Sequence, residues 1–66
     1  MTVNELIKEV CDSDTVHFAD YVDVWNIDTD VTHQYHRENL GIVYYYTVCE
    51  IHVKPGGEID AISIKR

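Results

Sequence analysis

Histidine and cysteine are the residues of this chain whose side chains could bind a metal or act as nucleophiles. The 66 residues include four His and two Cys. His33 and His36 are separated by two residues, an interval typical of metal ligands, and Cys49 precedes His52 by the same interval. Residues three apart on a β-strand point to opposite faces. We therefore expect surface or core histidines, with no bound metal and no cofactor, and a zinc-binding module is the third function to consider.

The pattern also disfavours enzymatic catalysis. A nucleophilic cysteine or serine needs a base beside it and a group that orients the base. Cys49 lies on the apolar side of an alternating segment, which predicts a buried and unreactive thiol. The one glycine pair follows Pro55 in a predicted turn, so there is no phosphate-binding loop. A chain of 66 residues also leaves little scaffold to hold a preorganised site, and we expect that it is not an enzyme.

Carboxylates are the most unevenly distributed chemical groups. The formal net charge is −7. Residues 1–36 hold eight Asp or Glu against one Lys, whereas residues 37–66 hold four acidic and four basic side chains. This balance excludes a protein that binds nucleic acid by neutralising phosphates, and it disfavours an anionic membrane surface. The acidic part either keeps a small domain soluble or docks on a basic protein surface.

The predicted partner-binding residues combine these carboxylates with aromatic side chains, because Tyr and Trp are enriched at interface hot spots. Tyr44 and Tyr46 alternate with Tyr45, which we expect in the core, so they should face away from it. The full predicted set is Asp12, Asp14, Asp20, Asp23, Trp25, Asp28, Asp30, Tyr44 and Tyr46. Extended, the segment 20–30 carries one charge per roughly 9 Å, against ~1.7 Å in duplex DNA. We expect a partial charge match to a nucleic-acid-binding groove.

The elements that position these side chains begin with a short amphipathic helix. Residues 2–5, Thr-Val-Asn-Glu, match the capping-box pattern. Its apolar stripe has helical spacing and consists of Val3, Leu6, Ile7 and Val10. Residues 15–27 are rich in β-branched and aromatic types and predict a strand with a bulge near Asp20. A helix over 14–23 is the alternative.

The rest of the chain predicts strands and turns. Residues 31–37 alternate and suit a short strand or a polar loop, and residues 42–53 form the clearest strand. Residues 58–65 shift their apolar parity, which indicates a bulge or an edge strand. We expect a single small α+β domain over 1–66, with one short N-terminal helix packed on a three- or four-stranded antiparallel meander. The irregular last strand could pair with a symmetry mate, which would give a homodimer.

The first ten residues, MTVNELIKEV, resemble the starts of small acidic phage proteins, among them some anti-CRISPR inhibitors of bacterial Cas nucleases. Those proteins begin with a similar short helix and continue into a small antiparallel sheet. The resemblance covers ten of the 66 residues and carries no diagnostic residue over to this chain. It implies a stoichiometric inhibitor that occupies a basic, nucleic-acid-binding surface.

Two functions follow from these patterns. The first is an acidic phage or mobile-element protein that inhibits a nucleic-acid-handling host protein, for example a CRISPR-Cas effector, by occupying its basic surface. It would contact neither nucleic acid nor a membrane. The alternative is a small structural or accessory subunit that homodimerises through its sheet without inhibitory activity. Because the N-terminus lacks a basic region followed by an apolar stretch, we expect a cytoplasmic protein of the bacterial host cell, with reduced cysteines.

Overall fold

Two β-hairpins and two short helical segments make up the computed structural model, which describes residues 1–66. The elements in chain order are α1 (Val3–Cys11), β1 (His17–Asn26), β2 (Val31–His36), a 3-10 helix (Arg37–Val43), β3 (Thr47–Val53) and β4 (Glu58–Lys65). The protein is therefore α+β, as predicted. No helix combines the length and the apolar character that are needed to cross a membrane.

The first helix forms where the sequence predicts it. The Glu5 N–H donates to Thr2 Oγ1 at 3.2 Å and the Thr2 N–H donates to Glu5 Oε2 at 3.3 Å, so the predicted capping box is present. These bonds satisfy amide groups that have no partner inside the helix. Three residues of the predicted stripe are buried, namely Val3, Leu6 and Val10. The stripe packs α1 against the sheet.

The sheet is mixed, which corrects the predicted antiparallel meander. Its strand order is β2-β1-β4-β3; the two hairpins are antiparallel, and they join through a parallel pair, β1 with β4. The last strand thus lies inside the sheet and not at its edge. Its three isoleucines, each 1% exposed, are Ile59, Ile62 and Ile64. Four of the eight β4 residues are buried, more than in any other strand, because this central strand has a neighbouring strand on both sides.

The two helical segments cover one face of the sheet, and the core lies between these segments and the sheet. The buried core residues are Val3, Leu6, Val10, Val22, Val24, Leu40, Val43, Ile59, Ile62 and Ile64. No element packs on the other side, which we call the open face. Antiparallel hairpins tolerate such a face where its side chains are polar or amphipathic.

Strand β1 contains the predicted bulge. Phe18 lies opposite Ile59 and Asp23 lies opposite Ala61, so the chain advances five residues on β1 and only two on β4, with Asp20 inside the irregular part. The alternative helix over 14–23 is wrong. From residue 21 onward the pairing with β2 is regular, so the side chains alternate between the core and the open face.

The predicted strand over 42–53 is correct only from Thr47 onward. Before it, the 3-10 helix buries Leu40 and Val43, while Ile42 between them is 71% exposed. A spacing of three matches the three residues per turn of a 3-10 helix. Alternation over the following tyrosines had suggested a strand, but the burial follows a helical period.

Tyr44, Tyr45 and Tyr46 form a turn because α1 needs their backbone. The Val3 N–H donates to the Tyr46 carbonyl at 3.0 Å and the Asn4 N–H donates to the Tyr44 carbonyl at 2.9 Å. First-turn amides of a helix have no intrahelical acceptor, so these carbonyls satisfy them. The facing of the three side chains is the reverse of the prediction: Tyr44 and Tyr46 pack against the core, and Tyr45 is 85% exposed.

Candidate functional site

Acidic and aromatic side chains line the open face along β1. Tyr21, Asp23 and Trp25 lie there, alternating with the buried Val22 and Val24. Since no layer covers this face, Tyr21 keeps 59% and Trp25 keeps 40% of its surface exposed. Large amphipathic rings beside a carboxylate on a rigid strand are suited to binding another protein.

The β1–β2 turn adds two more carboxylates to the end of this row. Asp30 Oδ1 accepts a hydrogen bond from Trp25 Nε1 at 3.1 Å, which holds the indole beside the carboxylate. Asp30 has φ +54°, a left-handed conformation that Asp tolerates better than most residues. Asp28 Oδ2 accepts from the Arg66 backbone N–H at 2.8 Å. We call the following five residues the acidic strip: Tyr21, Asp23, Trp25, Asp28 and Asp30.

Neighbouring strands support the acidic strip without neutralising it. Gln34 Nε2 lies 3.5 Å from Asp23 Oδ1, and the His36 ring meets the Tyr21 ring edge to face with centroids 5.3 Å apart. On the other side, the β4 residues paired with Asp23 and Trp25 are Ala61 and Ser63, neither of which carries a charge, and Ser63 is only 5% exposed. No side-chain nitrogen of Lys, Arg or His lies within 4.0 Å of a strip carboxylate.

The other predicted aspartates lie elsewhere. Asp20 Oδ1 is 3.5 Å from Arg37 Nη1, so its charge is partly compensated. Asp12 and Asp14 lie between α1 and β1, at the opposite end of a ten-residue strand from the β1–β2 turn. An extended strand of that length spans up to ~30 Å, several times the Debye length of ~8 Å at physiological ionic strength. The structure therefore divides the predicted six aspartates and brings three of them, those of the strip, together.

Carboxylates in the second half of the chain have basic neighbours. Lys54 Nζ lies 3.8 Å from Glu58 Oε1 and 3.7 Å from Asp60 Oδ2, and His52 Nε2 lies 2.7 Å from Glu50 Oε1. Exposed pairs of this kind contribute little to stability, but they reduce the local negative potential. Lys54 thus offsets Glu58 and Asp60, whereas the three carboxylates of the acidic strip have no Lys or Arg side chain within 4.0 Å.

Of the three aromatic residues predicted to bind a partner, the structure places one on the open face. Trp25 belongs to the acidic strip. Tyr44 and Tyr46 do not, because both pack against the core, and the Arg66 guanidinium lies 6.0 Å from the centroid of the Tyr46 ring. Sequence reasoning left out Tyr21 as a site residue, although its even spacing from Asp23 on one strand was a usable signal.

The two cysteines do not belong to a cluster of side chains arranged for catalysis or metal binding. Cys11 and Cys49 are both free and exposed, and the expected burial of Cys49 is wrong because β3 is irregular at this residue and lies at the edge of the sheet. No group of three or more His, Cys, Asp or Glu side chains is arranged to hold a metal ion.

A second surface feature is an apolar groove of about 410 Å³ between α1 and β3. Its lining residues are Leu6, Glu9, Val10, Ser13, Val16, Ile51, Val53 and Ile59. Ile51 and Val53 belong to the edge strand and are 36% and 52% exposed. Alternation had assigned them to the core face, which is the side they occupy, but no strand lies beyond β3 to bury them.

Comparisons with protein-family models, curated proteins and solved structures find no match to this chain.

Proposed function

We propose that this protein is a non-enzymatic binding protein that lays its acidic strip on the basic surface of a nucleic-acid-handling protein and competes there with nucleic acid. One observation carries the proposal: three carboxylates without a cationic side-chain partner lie on β1 and in the turn that follows it, next to two exposed aromatic rings. The carboxylates would meet Lys and Arg side chains of the partner. Tyr21 and Trp25 would supply the buried anchors that such an interface needs.

The spacing of the charges supports a partial match to nucleic acid. Asp23 and Trp25 are two residues apart on the strand, or ~7 Å along β1, and the Asp30 carboxylate lies beside the Trp25 indole. One strand of DNA has a phosphate every ~3.4 Å along the helix axis. The strip thus carries charge at a lower linear density than one strand of DNA, so the match is a partial one. This density is sufficient for electrostatic steering to a basic groove.

The class of partner to test first follows from the N-terminal resemblance. Met1–Val10 resembles the start of small acidic phage proteins that inhibit CRISPR-Cas effectors, and such effectors hold nucleic acid in positively charged channels. A phage or mobile-element protein acting on them would work in the cytoplasm of its bacterial host.

The test is capture of partners from a bacterial lysate, identification by mass spectrometry, and measurement of affinity for the purified partner. The strip variant D23N/D28N/D30N removes three charges but keeps an amide oxygen that can accept from Trp25 and the Arg66 backbone, and Asn tolerates positive φ. The matched control E9Q/D12N/D14N removes the same number of charges at the other end of β1. We expect the strip variant to bind at least about tenfold more weakly, with a smaller dependence on salt, and the control to remain within about threefold.

Displacement of nucleic acid provides the second measurement. Adding this protein should release a labelled oligonucleotide from the partner, and the strip variant should release less. A partner that binds both variants equally, with affinity independent of salt, would contradict the proposal. That outcome would favour the alternative function, an accessory subunit without inhibitory activity.

A further inference from the structure

The outer edge of β3 is the longest stretch of unpaired strand next to an apolar groove. β3 is the last strand of the sheet. At its start Thr2 bridges to Thr47 and the Val48 N–H donates to the Met1 carbonyl at 2.7 Å, so the N-terminus covers this part. The turn that begins at Lys54 closes the other end. Residues 49–53 between them have no neighbour on the outer side.

The hydrogen bonds of Lys54 indicate which backbone N–H and carbonyl groups of this edge have no partner. The Lys54 N–H donates to the Glu58 carbonyl at 2.8 Å and the Lys54 carbonyl accepts from Gly57, so Lys54 is directed toward β4. In an antiparallel strand, successive residues direct their backbone groups to opposite sides. Val53 and Ile51 are therefore directed outward, because the register shift between His52 and Val53 comes from an extra residue on β4, Asp60, and leaves the alternation of β3 unchanged. The irregular pairing at residue 49 explains why the Val48 N–H also points outward. Ile51 and Val53 together offer two N–H and two carbonyl groups.

We propose that two copies of this chain form a twofold-symmetric dimer by antiparallel pairing of their β3 edges, with the axis at His52. In this register Ile51 of each copy lies opposite Val53 of the other. All four outward N–H groups of the dimer then find carbonyl acceptors across the axis. The free segment has the length this pairing requires.

Side chains on both faces are complementary in the same register. On the core side, Ile51 meets Val53 of the second copy, which covers the exposed end of the apolar groove. On the open face, Glu50 lies opposite Lys54 of the second copy, and this pairing of opposite charges occurs twice. Directly opposed charges of opposite sign stabilise an antiparallel pair. The dimer thus satisfies backbone, apolar and charged groups together.

Competing arrangements satisfy fewer of these groups. A twofold axis at Ile51 would place Val53 opposite Cys49, which lies in the irregular part of β3. Only Ile51 and its counterpart in the second copy would then exchange backbone hydrogen bonds. The other free edge, β2, has the sequence VTHQYH. It contains no carboxylate, so self-pairing there lacks complementary charge.

The dimer has a consequence for the acidic strip. Pairing through β3 gives a continuous eight-stranded sheet, in which both open faces lie on the same side because opposed residues share a face. The two β1 strands are then five strand spacings apart, or ~24 Å. The dimer would present two acidic strips on one surface, which raises the avidity for a partner that has two basic sites. The dimer itself does not depend on the proposed function.

Sedimentation of the full chain from micromolar to near-millimolar concentration tests the proposal. We expect a reversible dimer. Ile51→Lys places a charge at the paired edge and should leave only monomer, whereas the matched control Val31→Lys on the β2 edge should sediment like the original chain. A wild-type protein that stays monomeric throughout, or a dimer abolished by Val31→Lys and retained by Ile51→Lys, would overturn the proposal.

A charge exchange tests the register even if Ile51→Lys fails to fold. Glu50→Lys and Lys54→Glu each oppose like charges across the axis and should raise the dimer dissociation constant about tenfold. The double variant E50K/K54E restores opposite charges and should return to within about threefold of the original. Circular dichroism checks the fold of each variant, because Lys54 also lies near Glu58 and Asp60 in its own copy. Singles that dimerise normally, or a double variant as weak as the singles, would refute this register.

Discussion

Replacing Leu40 with alanine should destabilise the protein far more than the same replacement of Ile42, although the two side chains are isomers in one short segment. Leu40 is fully buried in the core, whereas Ile42 is 71% exposed. Truncating a buried leucine to alanine costs about 2–5 kcal/mol, from lost transfer free energy and from the cavity left behind. At 0% exposure we expect about 3 kcal/mol for Leu40→Ala and less than about 0.5 kcal/mol for Ile42→Ala.

That difference is large relative to the total stability of so small a protein. At about 0.05–0.15 kcal/mol per residue, the whole chain has a free energy of unfolding of roughly 3–10 kcal/mol. A loss of about 3 kcal/mol corresponds to a fall in Tm of ~12–24 °C at this size. Thermal unfolding followed by circular dichroism measures the shift, and urea unfolding should move the midpoint for Leu40→Ala without changing the slope m.

The pair of variants also tests the 3-10 helix. If residues 40–42 were extended, alternation would place Leu40 and Ile42 on the same face, and truncating either of them would cost a similar free energy. Equal destabilisation by the two variants would refute the burial argument. A third variant, Val43→Ala, should resemble Leu40→Ala in direction, because Val43 is 5% exposed.

Two further predictions concern turns. In a urea titration, Gly57→Ala should lower the free energy of unfolding by at least about 2 kcal/mol, because φ is +89° and a Cβ would lie 1.9 Å from the Thr15 carbonyl oxygen. Gly56 has φ +102° and open space around it, so Gly56→Ala should lower the free energy of unfolding by only about 1 kcal/mol. A loss for Gly56→Ala as large as that for Gly57→Ala would contradict the close approach to Thr15. Asp30→Ala should shift the fluorescence emission of Trp25, the only tryptophan, to longer wavelength, because the indole loses its hydrogen bond. Asp30→Asn keeps an acceptor for that bond and should keep the original emission spectrum. Identical emission spectra for the two variants would contradict the hydrogen bond.

Local sequence signals predict those elements whose stabilising contacts are local. The capping box joins Thr2 to Glu5, and helical spacing places the buried stripe of α1 on one side. The β1 bulge near Asp20 and the turn at 28–30 were likewise readable, because a break in alternation and turn-forming residues lie within the segment itself. These contacts connect residues only a few positions apart.

The tyrosine segment shows where such signals fail. Tyr44 and Tyr46 alternate like strand residues, yet their carbonyls accept hydrogen bonds from α1, forty residues earlier in the chain. Nothing within the segment indicates that a distant helix needs these acceptors. The prediction that Tyr44 and Tyr46 face away from the core therefore could not be corrected without the fold.

The candidate site was predictable to the extent that it lies on one strand and its turn. Asp23, Trp25, Asp28 and Asp30 were all identified from the sequence, and the regular alternation of β1 after its bulge is sufficient to place the first two on one face. The hydrogen bond from Trp25 to Asp30 and the separation of Asp12 and Asp14 from the strip depend on three-dimensional positions.

By itself, the sequence determined the N-terminal helix, most of the strands and the concentration of negative charge in residues 1–36, because these follow from periodicity and composition. The tertiary structure decided which strands are neighbours. Alternation assigns side chains to faces but does not order strands in a sheet, because the order depends on contacts between residues far apart in the chain. The observed order places β4 inside the sheet, leaves β3 at the edge with Ile51 and Val53 partly exposed, and leaves one face of the sheet uncovered for the acidic strip.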